Sequence, residues 1–264
     1  MVTVYADMEA LSKAAAELFA QESLRAVASR GRFAVLLSGG ETPRRTYQLL
    51  AAAPFKDRVP WPAVHIFWGD ERQVPAGDPR SNARMVQQEL LDHVPVPGDQ
   101  IHPIPYGSSP RETAREYENI LRAFFSGRPP RFDLVFLGLG ENGHTASLFP
   151  GTPVLDEWQR WVAEVSVPEE GLQRITLTAP VINQAECVAF LVAGAGKAHI
   201  LQEVLERSPD PHRVPAGMIK PDGHLRWLVD RDAARLLGNT GQMCTEGEID
   251  HKAVIKDLEH LREP

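Results

Sequence analysis

The stretch Phe132–Pro150, FDLVFLGLGENGHTASLFP, decides how the rest of the chain is read. It begins as an apolar run bounded by charge and glycine, the pattern of a strand buried on both faces. Gly138, Gly140 and Gly143 then permit positive φ and close backbone approach, and they place His144 and Thr145 at the strand's carboxyl end. In open α/β sheets ligands bind at that edge. The spacing Gly138-x-Gly140-x-x-Gly143 also matches the dinucleotide fingerprint, which must open a helix facing a pyrophosphate. Only Thr145–Phe149 separate the last glycine from Pro150-Gly151, too few for a crossover helix, so NAD(P) and FAD are set aside.

Working outward, strands are predicted at Val2–Tyr5, Phe33–Leu37, Val64–Trp68, Gln100–Ile104, Trp161–Val167, Arg174–Thr178, Val188–Ala193 and Leu225–Val229. The Arg174–Thr178 segment alternates in polarity, as an edge or half-exposed strand does. Helices follow Asp7, Ser81 and Pro110, and a short one follows Val229. Strand and helix alternate through most of the chain, which predicts an α/β fold: an open, mainly parallel sheet flanked by helices on both faces. Residues 1–237 are read as that domain. From Gly238 the chain turns polar and glycine-dotted, then Val254, Ile255, Leu258 and Leu261 form one apolar stripe, so 238–264 is read as a linker and helical extension.

Several polar segments leave the ends of strands. Ser38-Gly39-Gly40-Glu41-Thr42-Pro43 follows Phe33–Leu37, with Thr42 suited to an N-cap and Pro43 to the first helical position. A glycine turn feeding a helix presents free N–H groups to an anion, and Arg44 and Arg45 add charge nearby. Gly69-Asp70-Glu71-Arg72 follows the Val64–Trp68 strand; three such charges usually make a solvated loop, but polar groups emerging after successive strands of an α/β chain would instead gather them on one rim. Gly194-Ala195-Gly196-Lys197 follows Val188–Ala193 but lacks the phosphate-loop spacing, which leaves Lys197 as a single cation near a helix start. His144 stands out among nine histidines by position, and neutral imidazole can take a proton from water near pH 7. No GxSxG elbow is present to make a serine esterase.

The totals narrow the classes. A net charge of −7 argues against a sequence-independent nucleic-acid binder, so an anionic ligand has to be met locally. The two cysteines, Cys187 and Cys244, have neither metal nor disulfide spacing, and no run has the length of a membrane span or the pattern of a signal peptide. A cytoplasmic chain with no membrane partner is expected, as a monomer or weak homo-oligomer.

The stretches LSGGETP (37–43), FWGDER (67–72), SNARM (81–85), LGLGENGHTASLFPGT (137–152) and VAGAGKA (192–198), in that order, resemble the glucosamine-6-phosphate deaminase/6-phosphogluconolactonase family, over about residues 1–237. The GHTASLFP run is similar to the lactonase branch. The resemblance implies a Rossmann-like sheet of the deaminase/lactonase type and hydrolysis of 6-phospho-D-glucono-1,5-lactone to 6-phosphogluconate, with no metal and no organic cofactor. It implies His144 as the general base, and with it Asp70 and Arg72 in the catalytic set. Ser38, Gly39, Gly40, Thr42, Arg72 and Lys197 are implied as substrate and phosphate ligands, with Asn142, Gly143 and Thr145 in support. Asn142 stands where many members have aspartate; it can hydrogen-bond the imidazole without stabilising imidazolium by charge. Two other readings stay open: a deaminase-like isomerase of hexosamine phosphates using Asp70 as carbon base, and a non-catalytic sugar-phosphate-binding protein.

Overall fold

The structure, a computed structural model, describes residues 1–107, 109–167, 171–207, 209–238 and 243–245. In chain order the strands are β1 (Val2–Tyr5), β2 (Phe33–Leu37), β3 (Val64–Trp68), β4 (Asp70–Arg72), β5 (Ile101–His102), β6 (Leu134–Leu137), β7 (Val162–Val167), β8 (Leu172–Leu177), β9 (Cys187–Val192), β10 (His224–Asp230) and β11 (Met243–Thr245). The helices are α1 (Met8–Arg30), α2 (Glu41–Leu50), α3 (Phe55–Arg58), α4 (Asn82–Glu89), α5 (Pro110–Phe124), α6 (Ala179–Ile182), α7 (Ala198–Glu206) and α8 (Arg231–Ala234). Local chemistry sets their ends. Asp7 Oδ1 accepts the Ala10 N–H at 2.8 Å to start α1, and Gly31 stops it in the left-handed region at φ 73°. Ser81 and Ser109 cap α4 and α5 in the same way.

Among the described residues eight strands form one sheet in the order β11-β1-β10-β9-β6-β2-β3-β5, and every neighbouring pair is parallel. β2, β6 and β9 at its centre are buried along their whole length, as their continuous apolar runs require. From β1 the chain crosses to β2 and continues outward to β3 and β5; it then returns to β6 and steps the other way to β9 and β10. Right-handed crossovers place α1–α4 on one face, where α1 packs on α2 and α3, and α2 on α4. The return connections place α5 and α7 on the other face. There α5 packs on a small antiparallel sheet, β4-β8-β7. The direction of winding reverses between β2 and β6, so the loops after these neighbouring strands diverge and leave a crevice at the carboxyl edge.

Three points narrow or differ from the sequence expectations. Of the two readings of Asp70–Arg72 the solvated loop fails: the segment pairs with Arg174–Thr176 as β4, and Asp70 and Glu71 are buried. β8 is consequently the centre of its sheet rather than an edge, which is why polar Arg174 and Thr176 on it are buried. Part of the 238–264 segment joins the main sheet, because Met243–Thr245 pairs with β1 and extends the sheet by one strand. The apolar stripe Val254–Leu261 lies outside the described residues. No helix among the described residues is long and apolar enough to cross a membrane.

At the β3–β5 edge His65 Nδ1 lies 3.4 Å from His102 Nε2, and the His102 ring stacks on Phe67. Burial lowers both proton affinities. The nearby Arg32 guanidinium lowers His65 further and the His65 imidazole lowers His102, while Asp99 opposes both. Each histidine thus binds a proton more weakly folded than unfolded, so its contribution to stability is full above the ordinary value of 6.5 and is lost as pH falls through the lower folded values. Melting curves from pH 7.5 to 5 are expected to fall less steeply for His65→Gln/His102→Gln than for the parent chain; parallel slopes would contradict this.

Candidate active site

The crevice at the winding reversal holds a cavity of about 220 Å³. One wall is the turn after β2. Gly40, at φ 109°, lets the chain swing from strand into α2, and the N–H groups of Gly39 and Gly40 donate to no acceptor among the described residues. Ser38 beside them is buried, and its Oγ has no hydrogen-bond partner among the described residues. Tyr47 from α2 fixes the strand end, donating its hydroxyl to Ser38 O at 2.8 Å and accepting the Ser38 N–H. Burial pushes the Tyr47 phenol well above its ordinary range, so this anchor stays protonated.

The β4 segment supplies the floor. Asp70 Oδ2 accepts the Ser147 hydroxyl at 2.6 Å and lies 3.6 Å from Arg174 Nη1, and its Oδ1 receives Asn82 Nδ2 at 3.4 Å. Asn82 sits so close to the β2 turn that a Cβ at residue 39 would fall 1.9 Å from its Oδ1, which makes glycine obligatory there. Glu71 is not in the lining and serves α4: its carboxylate accepts the N–H groups of Asn82 and Ala83 and the Ser81 hydroxyl. Burial raises its proton affinity against those donors. In the β4–β8 register Arg72 lies directly opposite Arg174, and both line the cavity. Like charges facing one another across a ladder are unfavourable without an anion between or beside them. Arg72 Nη1 donates to Arg80 O at 2.6 Å.

The turn after β6 carries His144. Asn142 Oδ1 accepts the His144 backbone N–H at 3.2 Å and lies 2.6 Å from the ring Nδ1. A backbone N–H only donates, so the amide atom it meets is the oxygen, and that oxygen accepts a hydrogen bond from a proton held on Nδ1. The second ring nitrogen, Nε2, is then the basic one. The ring stacks on Phe149 with centroids 4.1 Å apart. A Cβ at Gly140 would fall 2.1 Å from Nδ1, and one at Gly143, where φ is 84°, would strike Val214 at 2.7 Å. Thr145 Oγ1 donates to Gly138 O at 2.8 Å, closing the turn on its own strand. No helix follows. The isolated bridge between Thr145 and Leu148 takes its place, with Ala146 held at φ 47° on the cavity wall.

Lys197, in the single 3-10 turn after β9, completes the lining, and it makes no ion pair among the described residues. Asp230 at the end of β10 holds this turn by accepting the Gly194 N–H at 2.9 Å.

The structure therefore brings Ser38, Gly39, Gly40, Asp70, Arg72, His144, Thr145 and Lys197 to one cavity. Asn142 and Gly143 stand behind His144 rather than in the lining. Thr42 is not in the lining and is not the cap: α2 begins two residues earlier than expected, with Gly40 at the N-cap position. Arg44 and Arg45 point elsewhere, paired with Glu89 and Glu41 and with Glu9. Arg174, Asn82 and Ser147 are the additions. A buried arginine on a strand of alternating polarity is the signal that marks Arg174, once the strand is known to be covered on both edges.

A family model described as glucosamine-6-phosphate isomerases/6-phosphogluconolactonase matches residues 6–227. A 6-phosphogluconolactonase of Synechocystis sp. is 45% identical over 217 residues, covering 81% of this chain and 88% of that protein. One from Nostoc sp. is 39% identical over 236 residues, covering 88% and 96%. The solved structure of a 6-phosphogluconolactonase from Trypanosoma brucei superimposes with a TM-score of 0.78 at 27% identity, covering 90% of this chain and 98% of that one.

The close approach at residue 140 is directly testable. Gly140→Ala is expected to unseat the imidazole from Phe149, so the ring-proton NMR resonances of His144 lose their aromatic ring-current shift while the far-UV spectrum is kept. Unmoved His144 resonances would contradict the assigned packing.

Proposed function

The chain belongs to the glucosamine-6-phosphate isomerase/6-phosphogluconolactonase family, and on that premise we propose that it hydrolyses 6-phospho-D-glucono-1,5-lactone to 6-phosphogluconate. The observation that carries the reading is a basic Nε2 on His144 in the same cavity as Arg72, Arg174 and Lys197. Three cationic side chains against the one carboxylate of Asp70 give a local excess suited to a phosphate dianion, in a chain whose net charge is −7.

In this mechanism water adds to lactone C1 as His144 Nε2 takes its proton. The carbonyl electrons move onto oxygen, and the tetrahedral intermediate then expels the ring oxygen, which receives the proton from the imidazolium. The product acid ionises to the carboxylate. The free N–H groups of Gly39 and Gly40, with the unpartnered Ser38 hydroxyl, are donors for the substrate's anionic oxygens. Lys197 and Arg72 hold the phosphate, so binding energy remote from C1 positions the reacting carbon. Asp70 serves as a positioning residue: its oxygens are engaged by Ser147 and Asn82 and lie beside Arg174, an arrangement that orients a guanidinium rather than leaving a carboxylate free to abstract a carbon-bound proton. This favours the lactonase reading over the deaminase-like isomerase. Asn142 fixes the imidazole tautomer without the charge of an aspartate, so the imidazolium is stabilised less during turnover.

The reading is tested by lactone opening above the spontaneous rate, with phosphorylated and plain gluconolactone compared. The phosphorylated substrate is expected to be strongly preferred. His144→Ala should lower turnover by about 10²–10⁴-fold with 6-phosphogluconate binding kept. Ammonia release from glucosamine 6-phosphate, or ligand binding with no lactone opening, would overturn it.

A further inference from the structure

A second cavity, of about 780 Å³, is distinct from the one that holds His144. It lies at the opposite rim of the sheet, where β2, β6 and β9 begin, and is walled by Arg30, Arg32, Arg128 and Arg131 with the carboxylates of Asp133 and Glu186. Two of the arginines are matched. Arg30 pairs with Asp133, whose other oxygen accepts the Ala34 N–H at 2.7 Å, and Arg131 places Nε and Nη2 each 3.0 Å from the Glu186 carboxylate. The other two have no carboxylate partner among the described residues. Arg32 is held in place by its guanidinium lying 4.4 Å over the Phe124 ring, and its charge is felt at His65, whose proton affinity it lowers. Arg128 is exposed in the loop after α5.

We propose that this cavity is a second anion site, taking a compact phosphate-bearing small molecule between Arg32 and Arg128. Four guanidinium groups against two carboxylates leave an excess of about two positive charges, the charge of a phosphate ester or of a pyrophosphate group. Planar guanidinium forks bind phosphate oxygens in pairs, and stacking on Phe124 reduces the freedom Arg32 loses on binding. The cavity falls in the size range of small-molecule sites, whereas the chain's overall charge of −7 opposes an extended polyanion such as nucleic acid. The site is separate from the His144 cavity by the length of β2, about 16 Å at roughly 3.3 Å per residue. It does not depend on the lactonase reading.

The test is calorimetric titration of the full chain with inorganic pyrophosphate at low salt, repeated on Lys197→Gln and on Arg32→Gln/Arg128→Gln. A binding event that survives Lys197→Gln and weakens at least ten-fold in the double variant is expected. Arg128→Gln alone, in an exposed loop, should weaken it in the same direction and guards against misfolding of the double variant. Loss of all binding in Lys197→Gln, equal affinities in all the chains, or no binding by the parent would overturn the proposal.

Discussion

The hydrogen bond between Asn142 Oδ1 and His144 Nδ1 is the interaction on which the site depends. It works because the same oxygen is already committed to the His144 backbone N–H, which removes any freedom in how the amide is oriented. The proton is thereby confined to Nδ1, and the basic nitrogen is the remote one. Everything around the bond serves its geometry. Gly140 leaves room for the ring, Gly143 turns the chain under Val214, Phe149 supports one ring face, and Thr145 ties the turn back to β6.

The sheet determines where this device sits. The chain winds toward one edge from β2 and toward the other from β6, and the two strands are neighbours, so their trailing loops part and expose both turns to one crevice. The second sheet then adds what a simple doubly wound fold lacks at this edge. β4 continues from β3 past Gly69, pairs with β8, and sets Arg72 across from Arg174 with Asp70 beneath. A buried carboxylate shared by a hydroxyl, an amide and a guanidinium is costly to isolate, so these groups hold one another in place. At the other rim the arginine-walled cavity uses the opposite ends of the same strands.

Much of this was legible in the sequence because it is local. Glycine positions, the caps Asp7 and Ser81, and the continuous apolar runs of β2, β6 and β9 each act within a few residues, and they were enough to place the turns after β2 and β6 and the histidine between them. What failed was non-local. The pairing of Asp70–Arg72 is not readable, because nothing in their own neighbourhood announces the partner strand about a hundred residues on. The alternating pattern around Arg174 fits an edge or half-exposed strand, and its membership of the cavity follows only from being covered by β4 on one side and β7 on the other. Thr42 is a fair cap by residue type, yet the positive φ of Gly40 starts α2 two residues sooner. Arg44 and Arg45 add charge close to the turn in sequence, but helix geometry turns them toward Glu89 and Glu9.

The most direct test of the account is the tautomer of one ring. Long-range ¹H–¹⁵N correlation spectra of His144, recorded at a pH where the imidazole is neutral, should show the proton on Nδ1 and an unprotonated Nε2. A proton resting on Nε2 would leave no base facing the cavity and would contradict the role assigned to His144.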